Sequence, residues 1–475
     1  MQKFALRCFQ DKKIYVLSIF FLALLLPALS FGHVKWFSGF SFLDEPLSII
    51  EVLNPVYIGL VILSVVVISS LVFADEHIEE VRWYRKVNIW LSDQADYSLN
   101  IMRVAMAAVF LISWANGTVL TPELVSGYDL LVWLQFFLAL MLLFHKTTMY
   151  AGAGLLFLYV MAAFEFGFFH MLDYLHFAGI GIYLFSHRLY NEKLKEIGLP
   201  ALYITIGFSL IWLGYEKLFY PSWGLYLLEQ NPQLALGLPQ EFFLQAAAFV
   251  EISLGYLLII GLLERPLAAV ITMVFFLTTL VFGKLEVIGH TPIHAALLVF
   301  LFNGTGTAYN PPIALHKNMY LRVGFAGVNF LVIAALFLGA YSFSAERQYQ
   351  MALAGALMEN GHETSVMDIS GEEHIPEFTS IEIIKITDSS YNLHVELENW
   401  EFTPEKTGEE TVANEGHIHI YINGIKAGRM YGNWFYLGEL DPGEYFITLS
   451  LNGNDHTSFV ADGEVIRADT TFVAE

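Results

Sequence analysis

Between Ile14 and Tyr341 the chain is a succession of apolar runs, and the connections between them carry lysine and arginine at every second turn. That alternation leaves few folds open. Lipid cannot satisfy backbone N–H and C=O groups, so each run has to close its own hydrogen bonds as a helix. The runs are Ile14–Phe31, Val56–Phe73, Ile101–Ala115, Leu130–Phe144, Met149–Phe168, Tyr174–Phe185, Leu202–Phe219, Phe242–Leu263, Leu267–Phe282, Ile293–Phe302 and Val323–Tyr341, about eleven spans. Several fall short of the ~20 residues a perpendicular crossing needs, so those helices are tilted or end in buried polar groups. The fold class expected is a mainly α-helical polytopic membrane protein with two four-helix bundles, followed by a C-terminal antiparallel β-sandwich.

The charges orient it. Arg82, Arg85 and Lys86, then Lys146, then Arg188, Lys193 and Lys195, then Arg265, then Lys317 and Arg322 mark alternate connections. Basic connections stay on the cytoplasmic side. An odd number of spans then puts the C-terminus outside, in a bacterial-type inner membrane. Lys35, Lys217 and Lys284 break the pattern. Residues 1–32 read as a signal anchor or signal peptide. Cleavage after Gly32 would make His33 the mature N-terminus, where its amine and imidazole could chelate copper.

Composition excludes other classes. Hydrophobic residues are 56% and charged ones 15%, too apolar for a soluble enzyme. The net charge is −22, and from Ser344 onward 24 acidic residues face only 6 basic ones, so no basic nucleic-acid face exists and the expected surroundings are membrane lipid. Cys8 is the single cysteine. Any metal site must therefore use His, carboxylate, Met or backbone ligands.

Two polar corners stand out, Phe164–Phe177 (FEFGFFHMLDYLHF) and Phe282–His294 (FGKLEVIGHTPIH). Asp173 and Thr291 read as N-caps of the helices that follow, with Pro292 at a first helical position. The corners gather His170, Asp173, His176, Glu286, His290 and His294 at helix ends on one side, a candidate metal or proton-relay set. Glu165, Glu251 and Glu286 are intramembrane carboxylates, functional by default. Glu216 and Lys217 read as a self-satisfied pair. WANGTVLTPEL and WLGYEKLFYPSW repeat one another, and Gln135 occupies a place like that of Glu251. The expected organisation is an extra helix with loops over 33–98, four-helix units over 99–190 and 200–306, and a last span over 320–343. A linker over 344–378 and the β-sandwich over 379–475 complete it.

GYEKLFYPSW, AFVEISLGYLLIIGLLERP and FGKLEVIGH make the second unit resemble the DoxX/DoxD group of membrane proteins. The resemblance implies a four-helix bundle, in some members a subunit of a thiosulfate:quinone oxidoreductase and in others a membrane partner of redox or metal enzymes. Quinone would then be the cofactor, with Glu251 and Glu165 as its candidate contacts. No catalytic motif of the group transfers residue by residue.

Past Thr379 the pattern is β, with turns at Asn423-Gly424, Asp441-Pro442-Gly443, Asn452-Gly453-Asn454 and Asp462-Gly463. In GHIHIYINGIKAGRMYG a two-residue hairpin at Asn423-Gly424 sets His417 against Met430 and His419 against Gly428. His417, His419, Tyr421 and Met430 then share the face opposite Ile418, Ile420 and Ile422, with His456 as a further ligand. Imidazole with thioether favours copper. Residues 414–459 are also similar to small periplasmic Ig-like domains with a His-rich strand. Three readings follow. The first is an extracytoplasmic copper site in metal handling or redox beside a periplasmic redox or metal protein. The second is a quinone-linked oxidoreductase subunit, and the third is a non-catalytic membrane scaffold.

Overall fold

The computed structural model describes residues 34–474 apart from 38–39, 41, 43, 79, 188, 305–308, 310, 360–365, 373, 388, 407–408, 410, 423–424, 441, 456 and 462–463. The chain divides into two compact units, Met1–Arg347 and Gln348–Glu475.

In the first unit each apolar run after Ile14–Phe31 is helical over most of its length; that first run falls outside the described residues. The main helices are α1 (Pro55–Ile78), α2 (Arg82–Ser92), α3 (Ser98–Asn116), α4 (Asp129–Leu142), α5 (Thr148–Phe166) and α6 (His176–Ser186). They continue as α7 (Gly198–Phe219), α8 (Gln240–Ile260), α9 (Glu264–Phe282), α10 (Lys284–Asn303) and α11 (Met319–Glu359). Among the described residues seven helices are long and apolar enough to cross a membrane, and α4 and α6 are shorter apolar helices. The chain is thus a multi-pass membrane protein.

Packing rather than propensity fixes the bundle. Helices α7 and α8 touch backbone to backbone: a Cβ on Gly255 would lie 2.4 Å from the Gly207 carbonyl oxygen, and one on Gly207 2.6 Å from that of Gly255. Such contact at small residues is how helices adhere where no hydrophobic effect separates side chain from lipid. Tyrosine hydroxyls then tie α11 on, Tyr215 donating to the Ala334 carbonyl at 2.7 Å and Tyr256 to that of Ala326 at 2.8 Å. Helix α11 runs unbroken from the last apolar stretch to Glu359, so the first part of the linker expected over 344–378 is helical.

The corner at Phe282–His294 differs from expectation. Only Gly283, at φ 72°, interrupts the chain, and α10 runs from Lys284 straight through Thr291 and Pro292. Thr291 turns its hydroxyl back to the Val287 carbonyl at 2.5 Å and caps nothing. Asp173 is not a cap either; α6 starts after Leu175 with no side-chain cap. The N-cap reading fails because the polar residues line a buried helix face. Glu286, His290 and His294 lie four residues apart, one above the next.

In the second unit one sheet joins, in order, β1 (Val366–Asp368), β9 (Ser458–Ala461), β8 (Gly443–Asn452), β5 (Glu415–Ile422) and β4 (Glu401–Phe402), with β6 (Ile425–Met430) on β5, β11 (Arg467–Ala474) on β8 and β10 (Glu464–Val465) on β9; a second sheet is ordered β2 (Glu377–Lys385), β3 (Ser390–Glu398), β7 (Trp434–Glu439). The strands that matter are β3 (Ser390–Glu398), β5 (Glu415–Ile422), β6 (Ile425–Met430), β8 (Gly443–Asn452) and β9 (Ser458–Ala461). Pairing is antiparallel except β1 (Val366–Asp368) with β9 and β4 (Glu401–Phe402) with β5. Leu393 and Val395 from one sheet and Ile418, Ile420, Leu449 and Leu451 from the other fill the core, each fully buried.

Candidate functional site

In the bundle, the N-terminal turn Val34–Trp36 is driven between helices. Trp36 lies over Gly289, where a Cβ would come within 1.8 Å of its ring, and its Nε1 donates to the Tyr174 hydroxyl at 2.9 Å. The insertion carries Lys35 into the interior. Its Nζ lies 2.6 Å from Asp173 Oδ2 and 2.7 Å from Glu216 Oε2, with all three side chains at 0–1% exposure. The ring centroids of Phe40, Phe42 and Trp223 stand 5.5–5.7 Å from the ammonium, within cation–π range.

Lys217 turns the other way and donates to Glu251 Oε2 at 2.8 Å, buried in turn. Adjacent residues on a helix point about 100° apart, so Glu216 and Lys217 serve two different partners and do not satisfy each other. A small cavity of about 20 Å³ lies between these pairs, lined among others by Asp173, His176, Ser209, Lys217, Glu251 and His290. The two corners therefore meet. His290 Nδ1 is 3.3 Å from Glu286 Oε2, its ring stacks on Phe275 with centroids 4.5 Å apart, and Trp36 covers it at 5.0 Å. His294, half-buried, packs on Phe276. His170 bonds Glu123 Oε1 at 2.8 Å, and the Tyr174 hydroxyl donates to the same oxygen.

Glu165 stays apart. It accepts from the Ser126 hydroxyl and the Gly127 N–H at 2.8 Å, holding the loop before α4. Gln135 likewise holds the loop after α3, accepting from Leu120 N and donating to the Thr118 carbonyl. Nothing local in the sequence marks Glu123 and Tyr174 as site residues. A signal existed for Lys35 and Lys217: both break the charge alternation, as a lysine does when a buried carboxylate holds it.

In the β unit, the register departs from the two-residue-hairpin expectation. Ile422 opposes Ile425 and Tyr421 opposes Lys426, but a bulge then places Ile420 against Gly428, His419 against Arg429 and Ile418 against Met430. One extra residue flips everything beyond it. Met430 therefore faces Ile418 in the apolar core, 1% exposed, and not His417. The histidines remain together and are buried, His417 at 0% and His419 at 2%. Their Nε2 atoms share a hydrogen bond of 2.8 Å, one ring nitrogen donating to the other. The Tyr421 hydroxyl stands 3.2 Å from His419 Nδ1, and burial pushes that hydroxyl up to about 12. Tyr431 stacks on His417 with centroids 4.9 Å apart. Asn452 and Ser450 oppose the two histidines from β8. Among the described residues no three of His, Cys, Asp and Glu converge as a metal-binding group. His33 and His456 lie outside the described residues.

The sequence model of the DoxX family matches residues 199–284, the stretch of α7, α8 and α9 that holds Glu216, Lys217 and Glu251. With its many apolar helices and a β-rich C-terminal region, the chain is a DoxX-like membrane protein carrying a β unit. No curated protein and no solved structure matches it.

Proposed function

We propose that the β unit binds copper and that the molecule handles this metal, or the electrons it carries, at the outer face of a bacterial-type inner membrane. One observation carries the reading: two buried imidazoles, His417 and His419, turn their Nε2 atoms toward each other across a 2.8 Å hydrogen bond that a metal ion bound by both nitrogens would replace. Two metal–imidazole bonds of about 2.0 Å meeting near a right angle put their nitrogens about 2.8 Å apart. Tyr421 at Nδ1 is the outer partner that orients a ligating imidazole. Two neutral nitrogens in a buried pocket suit copper better than a hard ion. The alternation of Lys and Arg supports an extracytoplasmic C-terminal unit, within reach of a soluble redox or metal protein. Domain limits of 99–190 and 200–306 for tandem bundles and 379–475 for the β-sandwich belong to the same proposal. The test is metal analysis of the full-length protein loaded with copper and washed. About one copper per chain is expected, with loss of most of it in both His417→Ala and His419→Ala. Equal copper in parent and variants overturns the reading.

A second reading, a quinone-linked subunit, is favoured by an apolar groove of about 270 Å³ between α1 and α8, where Ser64 and Ser253 meet at 3.3 Å. It opens on the helix that carries Glu251. A short-chain quinone should quench tryptophan fluorescence in the parent and fail to do so in Ala246→Trp; unchanged quenching removes this reading. Failure of both tests leaves a membrane scaffold.

A further inference from the structure

We propose that the Asp173–Lys35–Glu216 triad is a proton-binding site, holding one exchangeable proton between its two carboxyl groups and connecting through the cavity to His290 and Glu251. The argument starts from charge. One ammonium stands between two carboxylates whose side chains are 1% exposed, at 2.6 and 2.7 Å. Counting the described residues, the fully ionised triad would bury a net negative charge, which a medium of low polarity strongly disfavours. A bound cation removes that cost. A proton on one of the two carboxyl groups does so and needs no ligand beyond the triad itself.

Among the described residues, Tyr159 and Tyr174 feel the charge of Asp173, and Asp44 and Glu346, which act on Tyr220, are acidic and add no positive charge. Tyr220 and Tyr341 lie close enough for both to feel the charge of Glu216, and neither hydroxyl supplies a positive charge. His170, one turn before Asp173, is engaged by Glu123. Aromatic rings close the remaining sides.

A second, independent observation concerns the cavity beyond Asp173. It measures about 20 Å³, about the volume of one water-sized sphere. The Ser209 hydroxyl, 3% exposed, lines it without a hydrogen-bond partner. Asp173, His176, Lys217, Glu251 and His290 form its polar wall. One water there would link Asp173 to the histidine and to the Lys217–Glu251 pair, giving a path along which a proton moves from carboxyl to imidazole. Outside the cavity lining, Glu123 joins His170 and the Tyr174 hydroxyl in a second polar cluster next to Asp173 in the chain.

Infrared difference spectroscopy of the full-length protein in detergent tests this, and it requires no copper. A protonated carboxylic C=O band is expected at neutral pH, shifting on transfer to deuterium oxide. Glu216→Gln and Asp173→Asn should each abolish it, while Glu165→Gln should leave it intact. Ser209→Leu, which fills the cavity, and His290→Gln should both slow the shift at least tenfold. Absence of the band in a folded parent overturns the site, as does a band that survives both triad substitutions. Exchange unchanged in both Ser209→Leu and His290→Gln overturns the path.

Discussion

Lys35 was legible only as a lysine on the wrong side of the charge alternation, because nothing local pairs it; its partners lie 138 and 181 positions away. Removing one member of a buried ion pair costs about 3–5 kcal/mol. Lys35→Met should therefore lower the thermal unfolding midpoint in detergent markedly, whereas Lys193→Met, on an exposed connection, should not. Gly289→Ala is expected to destabilise by about 1–3 kcal/mol, since the new Cβ occupies the space of the Trp36 ring. In the β unit, Met430→Leu separates the observed register from the one a regular hairpin gives. Met430 faces Ile418, so the exchange should cost under about 1.5 kcal/mol and leave copper binding unchanged. Asp455 gives the pH dependence. Burial acts upward on its carboxyl, but hydrogen bonds from Thr411 and Thr457 hold it down at about 2. Its contribution is present above the ordinary carboxylate value of about 4 and is lost as pH falls toward 2. Asp455→Asn should flatten that part of the acid unfolding curve.

Among elements, the helices were legible because each apolar run has to be one. Their ends were not, because Asp173, Thr291 and Pro292 carry capping signals that local rules read as boundaries. Burial decides instead: Glu286 and His290 are 0% and 2% exposed within α10, and the helix continues so that they reach the interior. The α7–α8 crossing is the element most sensitive to a small change. Gly255→Val places branched carbon against the Gly207 carbonyl and must push the helices apart, so loss of the folded fraction on size-exclusion chromatography is expected, with Gly339→Val, which meets nothing, as the tolerated control. Strand β5 was legible in its alternation of Ile and His. Its partner was displaced by a bulge that no turn signal announces. Ile420→Ala, deep in the sandwich, should cost about 2–5 kcal/mol.

For the whole molecule, composition and periodicity were enough to separate an apolar helical region from an acidic β region, because lipid and water impose different patterns. The convergence of the two corners was suggested by their shared side and needed α6 and α10 to meet beside α7 to become a site. Placement of the β unit outside the cytoplasm is checked by a reporter fused after Glu475 that is active only in the cytoplasm; it should stay silent. The central claim is that His417 and His419 together hold copper. The measurement that reaches it most directly is electron paramagnetic resonance of the full-length protein loaded with one equivalent of Cu(II). The account expects hyperfine structure from two imidazole nitrogens, reduced to one or none in His419→Ala and unchanged in Met430→Leu. A spectrum that is identical in parent and His419→Ala, or that shows no nitrogen coupling at all, would contradict it.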